Sequence, residues 1–373
     1  MANEAKDPTR LKQLLDEGIR SYLGTDSPIG VSAALMVGGV RASMTSGLAD
    51  REAQRPVRED TLFIIGSVQK TFTNTLAAAR IVEGKLSLED QVTRFLPEEV
   101  RKEGSVIRQV TPANLGTMTA AMPAPNVPGR PAHALYMGQP PTAQLLDFWK
   151  KFNPERHIGT SYLYANVSEV TQGFTAVAAA GQTYPELFAQ DIQGPLSMRD
   201  TVVDVSGISP ERIAQGYTTS GKRVGFRGVG FNSTASDMLR FLEGNLFRVQ
   251  SMPLLTYRAM SLAHQPRFQI SPGTSIGMAW YTHEVGQGAR VVSKAGGNAG
   301  FVAWIGFMPQ YAAAVVLLTN GHPSSARAAD AGTAPKSLPA TGRDILLRAV
   351  GLERASLATF EDPDGGIQPD AEE

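Results

Sequence analysis

The chain has 373 residues, 42% hydrophobic and 19% charged, which is enough apolar material for a sizeable core in one large fold or in two or three domains. Lys+Arg and Asp+Glu each total 35, so zero net charge and the lack of a basic run argue against a nucleic-acid or polybasic membrane partner. Cysteine is absent; this removes disulfides, thiolate metal sites and Cys nucleophiles, and leaves the redox compartment open.

The N-terminal stretch MANEAKDPTRLKQLL is polar and lacks the apolar core of a signal peptide. The expected location is periplasmic or secreted if a signal has been removed, and cytoplasmic otherwise. No apolar run reaches the ~18 residues of a membrane span. Residues 8–23 then place Leu11, Leu14, Leu15, Ile19 and Leu23 at helical spacing, predicting an amphipathic helix. Gly30–Val37 and Val40–Ser46 are strand-like, and Gly38-Gly39 between them signals a hairpin. Helical patterns follow at Val68–Glu83, Ala143–Lys151, Glu169–Ala180, Tyr184–Ile192 and Ala235–Gly244, with a Pro/Gly-rich loop expected at Met122–Pro141. Met278–Thr282 reads as a strand.

Strand-like runs return at Ala289–Lys294, Phe301–Phe307 and Ala312–Leu318, and a last helix is predicted at Gly342–Val350. Ala326–Pro339 reads as a loop, and the acidic end as a disordered tail over 353–373. Strands from both ends share one sheet only if the helical middle is inserted. The expectation is an α+β fold: an antiparallel sheet domain from 8–75 and 265–352, flanked by the N- and C-terminal helices, and a mostly helical domain over 76–264. A cleft is expected between them.

Three short motifs carry residues fit for chemistry. In Gly66-Ser67-Val68-Gln69-Lys70, Ser67 opens a helix and Lys70 follows one turn later on the same face. A hydroxyl at a helix N-terminus lies in a positive field, and a nearby amine of lowered pKa accepts its proton. Alone, the same tetrapeptide is also what a Ser-capped helix with a surface Lys looks like. Tyr164-Ala165-Asn166 presents a phenol and a carboxamide at a turn into a helix; alone, it also reads as a core Tyr and a capping Asn. Lys294-Ala295-Gly296-Gly297 ends a strand-like run, where glycines let backbone amides approach a ligand. In isolation, a solvated Lys before a hairpin fits equally.

Together, in this order, Ser-x-x-Lys, Tyr-x-Asn and Lys-x-Gly resemble the serine β-lactamase and penicillin-binding-protein superfamily. The Tyr-Ala-Asn form is most similar to class C β-lactamases, and to related DD-peptidases and family VIII esterases. Thr61-Leu62-Phe63, Gly194-Pro195-Leu196, Gly216-Tyr217 and Asp237-Met238 are similar as well. The resemblance implies that Ser67 is the acylated nucleophile, with Lys70 and Tyr164 as its coupled base system. It implies that Lys294 is the cation beside Tyr164, that Asn166 donates to the substrate amide, and that the amides of Ser67 and Gly297 form the oxyanion hole. Arg327 resembles the Arg that helps bind a β-lactam carboxylate. The sequence departs from the family at Ala295 and Gly297, where hydroxyls are usual, and at Ser324, where class C enzymes commonly have Asn.

The expected activity is hydrolysis of the β-lactam amide through an acyl-enzyme on Ser67. DD-carboxypeptidase/endopeptidase or short-chain esterase chemistry is the alternative, followed by a penicillin-binding sensor that does not turn over. The expected partner is a small-molecule or peptide acyl substrate, with no cofactor and no metal, acting on a monomer. The five His (His133, His157, His264, His283 and His322) show no metal-like spacing. Gly273-Thr274-Ser275-Ile276-Gly277 matches a nucleophile elbow in letters but lacks the strand–helix context the elbow needs. Trp280 and Trp304 are read as core or pocket wall.

Overall fold

The computed structural model of the chain describes residues 7–24, 27–101, 105–124, 126–225, 230–286, 288–298, 300–321, 323 and 337–352. Its principal helices are α1 (Pro8–Leu23), α2 (Lys70–Val82), α3 (Ala143–Lys151), α4 (Asn166–Ala180), α5 (Ala235–Asn245), α6 (Leu254–Ala263) and α7 (Leu338–Ala349). Five strands of its largest sheet are β1 (Val31–Val37), β2 (Val40–Ser46), β3 (Arg290–Asn298), β4 (Phe301–Met308) and β5 (Ala313–Thr319). The chain divides into two compact units. The first gathers the residues up to Gln69, Ser197–Val249 and the chain from His283; the second is Lys70–Leu196 with Gln250–Thr282.

In the first unit the strands run antiparallel in the order β2-β1-β5-β4-β3. The β1–β2 hairpin turns on Gly38 and Gly39, both at positive φ, as a two-residue loop matching strand twist requires. Strands β1, β4 and β5 are buried along their whole length, because helices cover both faces. They therefore read as continuous apolar runs rather than as an alternation. Edge strand β2 alternates towards solvent and carries Arg41, Ser43 and Thr45, which discourages pairing with another chain.

Alternation survives in what each face packs against. Val31, Ala33, Leu35, Ala295, Trp304, Val315 and Leu317 join Leu11, Leu15 and Ile19 of α1 and Ile345, Leu346 and Leu347 of α7 in one apolar cluster. The other face of β1, β4 and β5 lies under α5. Two glycines allow the tightest contacts: a Cβ on Gly342 of α7 would lie 2.1 Å from the Trp304 ring, and one on Gly306 2.2 Å from it. Across α1 and α7, a Cβ on Gly18 would lie 2.5 Å from Ile345 Cγ1.

In the second unit α2 has every side chain from Lys70 to Arg80 buried, packed among α4, α6 and the short helix Tyr184–Phe188. A helix buried all round must answer its own polar groups. Asn74 donates to the Lys70 carbonyl at 2.9 Å and Thr75 to the Thr71 carbonyl at 2.8 Å. The buried Arg80 guanidinium meets Asp191 at 2.8 Å and Glu83 at 2.8 Å. Burial nevertheless pushes the Asp191 carboxyl above its usual value, against the pull of Arg80.

Several local expectations are corrected. The Met122–Pro141 loop contains a short helix, Pro131–Tyr136, started by Pro131 at its first position. Residues 277–280 form a turn, with Ala279 at φ 65°, and the strand begins only at Tyr281. The last helix starts at Leu338, earlier than Gly342, because Ser337 caps it and Pro339 is tolerated in a first turn. Ser275 lies in a hairpin of Phe268–Ser271 with Thr274–Ile276, so no nucleophile elbow exists there. Trp280 and Trp304 are fully buried. Arg327, Ser324 and the acidic tail from 353 lie outside the described residues. No helix among the described residues is long and apolar enough to cross a membrane.

The Trp304 contact yields a stability prediction. Glycine in a helix costs ~1 kcal/mol relative to alanine, so propensity alone favours Gly342→Ala. The 2.1 Å approach to a ring that cannot withdraw makes overpacking, at ~1–3 kcal/mol, the larger effect. Gly342→Ala is expected to lower Tm in calorimetry; a raised Tm would show that the ring has room.

Candidate active site

Each unit carries its own group of candidate residues. In the first, Ser67 stands half-buried in a 3-10 turn, Gly66–Gln69, that continues into α2. The segment before it is pinned from one side: Phe63 and Ile64 pair with Ser233 and Asn232. The Ile65 amide donates to the Phe231 carbonyl at 3.0 Å, and the Phe231 amide donates to Gln69 Oε1 at 3.0 Å.

Strand β3 closes on the same turn from the other side. A Cβ on Gly296 would sit 2.1 Å from the Ile65 carbonyl oxygen and 2.9 Å from the amide nitrogens of Ser67 and Val68. A Cβ on Gly66, itself at φ 51°, would sit 2.7 Å from the Gly297 carbonyl oxygen and 2.8 Å from its amide nitrogen. Only glycine fits at either position, because backbone meets backbone there. The contact brings the Ser67 and Gly297 amides into one neighbourhood, which is what an oxyanion hole of two N–H groups requires. Lys294, 1% exposed, lies two residues before Gly296 and so on the same face of β3. Ala295 faces the opposite way, into the cluster beneath α1 and α7.

In the second unit Lys70, 2% exposed, begins α2, and its ammonium lies 5.1 Å from the centre of the Tyr164 ring. A cation over a phenol ring at that range is attracted by ~0.5–2 kcal/mol. Tyr164 is half-buried and packs on Met118, Ile276 and Tyr281, next to Tyr162. Its loop is held by the Leu163 amide, which donates to the Met118 carbonyl at 2.8 Å, and Met118 adopts φ 56°. Asn166 is the first residue of α4, and its Nδ2 donates to Asn126 Oδ1 at 2.7 Å.

The sequence reading missed Asn126, which sits in a Pro-rich stretch without periodicity. It also missed Glu169, one turn into α4, where an acid ordinarily marks a solvated helix face. Here Glu169 is 1% exposed. Its Oε1 accepts from Thr73 Oγ1 at 2.6 Å and from the Tyr136 hydroxyl at 2.6 Å. Burial first, and then the negative charge of Glu169, hold the Tyr136 and Tyr184 phenols well above the ordinary tyrosine value.

A large antiparallel sheet with helices on both faces and a mostly helical unit make this an α+β fold. The Beta-lactamase family profile matches residues 15–337, and the chain belongs to that family. A β-lactamase of Pseudomonas fluorescens is 26% identical over 357 residues, covering 86% of this chain and 96% of that protein. A class C β-lactamase solved with cefoxitin superposes with TM-score 0.78 at 24% identity, over 92% of this chain and 99% of that one. The β-lactamase/D-alanine carboxypeptidase of Pseudomonas syringae superposes with TM-score 0.76 at 24% identity, over 91% and 98%.

The backbone contact is testable at its two glycines. Gly66→Ala combines a clash with left-handed strain of ~1–2 kcal/mol, and Gly296→Ala drives a methyl into the Ile65 carbonyl. Both variants are expected to lose covalent labelling by an activated ester far beyond any fall in Tm. Wild-type labelling rates in either would separate the β3 contact from the chemistry.

Proposed function

We propose that the protein is a serine acyl hydrolase of class C β-lactamase type, acylated on Ser67. The observation that carries this reading is the turn of Ser67 packed against Gly296 and Gly297. It sets a hydroxyl at a helix start beside two backbone amides. Family membership supplies the substrate class.

Ser67 Oγ attacks the β-lactam carbonyl carbon, and the oxyanion that forms is stabilised by the Ser67 and Gly297 amides. The hydroxyl proton passes to the Lys70–Tyr164 pair and from there to the lactam nitrogen as its bond to carbon breaks. Water then attacks the ester, giving up a proton to the same pair, and Ser67 leaves with its hydroxyl restored. Lys294 is assigned to cationic support of the phenolate, Asn166 to the substrate amide and Arg327 to the substrate carboxylate.

One observation favours a second reading. Lys294-Ala295-Gly296-Gly297 offers no side-chain hydroxyl, and Ala295 faces the apolar cluster. A charge-assisted hydrogen bond is worth ~1.5–3 kcal/mol, so recognition of an anionic substrate is weakened. Turnover of uncharged short esters or of D-Ala-D-Ala peptides on the same acyl-enzyme path is the alternative.

Intact-mass analysis after exposure to a slow β-lactam is expected to show one adduct, absent in Ser67→Ala and kept in Ser275→Ala; the reverse pattern would move the nucleophile. A parallel kcat/KM panel of nitrocefin, a D-Ala-D-Ala peptide and p-nitrophenyl butyrate is expected to show weak nitrocefin turnover with high KM. Nitrocefin hydrolysis near the diffusional range would leave a fully competent β-lactamase, and a peptide preference would indicate a carboxypeptidase. Lys70→Ala and Tyr164→Phe are each expected to slow acylation by ~10²–10⁴-fold. Their double variant should be little worse than either, since the two act as a unit; multiplying effects would contradict a shared role.

A further inference from the structure

The buried carboxylate of Glu169 has no part in the chemistry above, yet it sits at the seam of the two helices that bring Lys70 and Tyr164 together. Both hydrogen-bond donors to its Oε1 are uncharged hydroxyls, Thr73 and Tyr136, and Tyr184 stands 2.9 Å from Thr73 Oγ1 behind them. An ionised group this deep is costly without an opposite charge. Thr73 lies three residues after Lys70 on α2, about one helical turn of ~5.4 Å. Lys70 in turn holds its ammonium over the ring of Tyr164, five residues before Glu169.

We infer that Glu169 is a positioning residue for Lys70: through Thr73 it fixes the first turn of α2, and its charge steadies the ammonium against Tyr164. The inference rests on the assignment of Lys70 and Tyr164 to the acylation of Ser67. Within this unit and among the described residues, the ionisable groups of the elements packed on α2 are few. Tyr164 and Glu169 approach from α4 and the loop before it, and Tyr136 and Tyr184 from the two short helices. Asp191 is taken up by Arg80. The buried face of α6, formed by Thr256, Ala259, Met260 and Ala263, carries no such group.

The test uses the full chain labelled with [13C]lysine, following the Lys70 Cε resonance, assigned with Lys70→Arg, through a pH titration. Removing a neighbouring negative charge makes an ammonium easier to deprotonate. In Glu169→Gln, which keeps an acceptor oxygen for Thr73 and Tyr136, the midpoint is expected to fall by about one pH unit. Thr73→Val keeps the charge and removes one bond; acylation is expected to slow ~10-fold at saturating substrate with KM little changed, and Thr73→Ser to restore it. An unchanged Lys70 midpoint in Glu169→Gln overturns the inference, as does a wild-type acylation rate in Thr73→Val. If Glu169→Gln does not fold, the Thr73 pair decides alone. A wild type that forms no Ser67 adduct overturns the functional assignment instead, because the titration reads Lys70 without turnover.

Discussion

The architecture of the first unit depends on a backbone approach that tolerates no side chain. The Ile65 carbonyl and the Ser67 amide lie where a methyl on Gly296 would be, and the Gly297 peptide lies where one on Gly66 would be. An approach this close holds its place only if both partners are immobilised elsewhere. The turn is immobilised by the pairing of Phe63 and Ile64 with Asn232 and Ser233 and by the Gln69–Phe231 bond. Strand β3 is immobilised by its full register with β4, in which Lys294 faces Ile305 and Gly297 faces Val302. The sheet behind it serves as a rigid ruler, because its strands are clamped by helices on both sides.

The second unit meets a different constraint. Its central helix is buried from Lys70 to Arg80, so its polar side chains must look for partners within the protein. Asn74 and Thr75 bond back to their own backbone, Arg80 takes Asp191, and Thr73 reaches across to α4. That last bond fastens the helix carrying Lys70 to the helix preceded by Tyr164. A small residue also lets α4 pack closely on the short helix Pro131–Tyr136: a Cβ on Gly173 would lie 2.2 Å from Leu135.

Much of this was legible in the sequence, for reasons that can be named. The β1–β2 hairpin announced itself through Gly38-Gly39 between two strand-like runs, and β4 and β5 through unbroken apolar stretches. Ser67, Lys70, Tyr164 and Lys294 stand out as candidates because their motifs occur together in a fixed order, which no single motif could establish. What escaped was irregular or inverted. Helix Pro131–Tyr136 is too short for periodicity to show and lies in a Pro/Gly-rich stretch. Helix α6 and the Phe268–Ile276 hairpin carry mixed patterns of apolar and polar residues. Glu169 was invisible because an acid in an amphipathic pattern is read as solvated, and only tertiary packing reveals that its turn faces inward.

The three tryptophans are all fully buried, and they are divided between the units: Trp304 in the first, Trp149 and Trp280 in the second. Trp304 is pressed against the Cα of Gly342 on α7 and that of Gly306 on its own strand, with no room for a methyl at either. Trp149 instead donates its indole N–H to Thr171 of α4 at 2.9 Å. Each ring therefore has a dry, unit-specific environment, and its emission is a built-in optical label. In a chain without cysteine, where thiol-directed dyes have nothing to attach to, single-tryptophan variants offer a native way to watch α7 leave the sheet and the helical unit loosen as separate events.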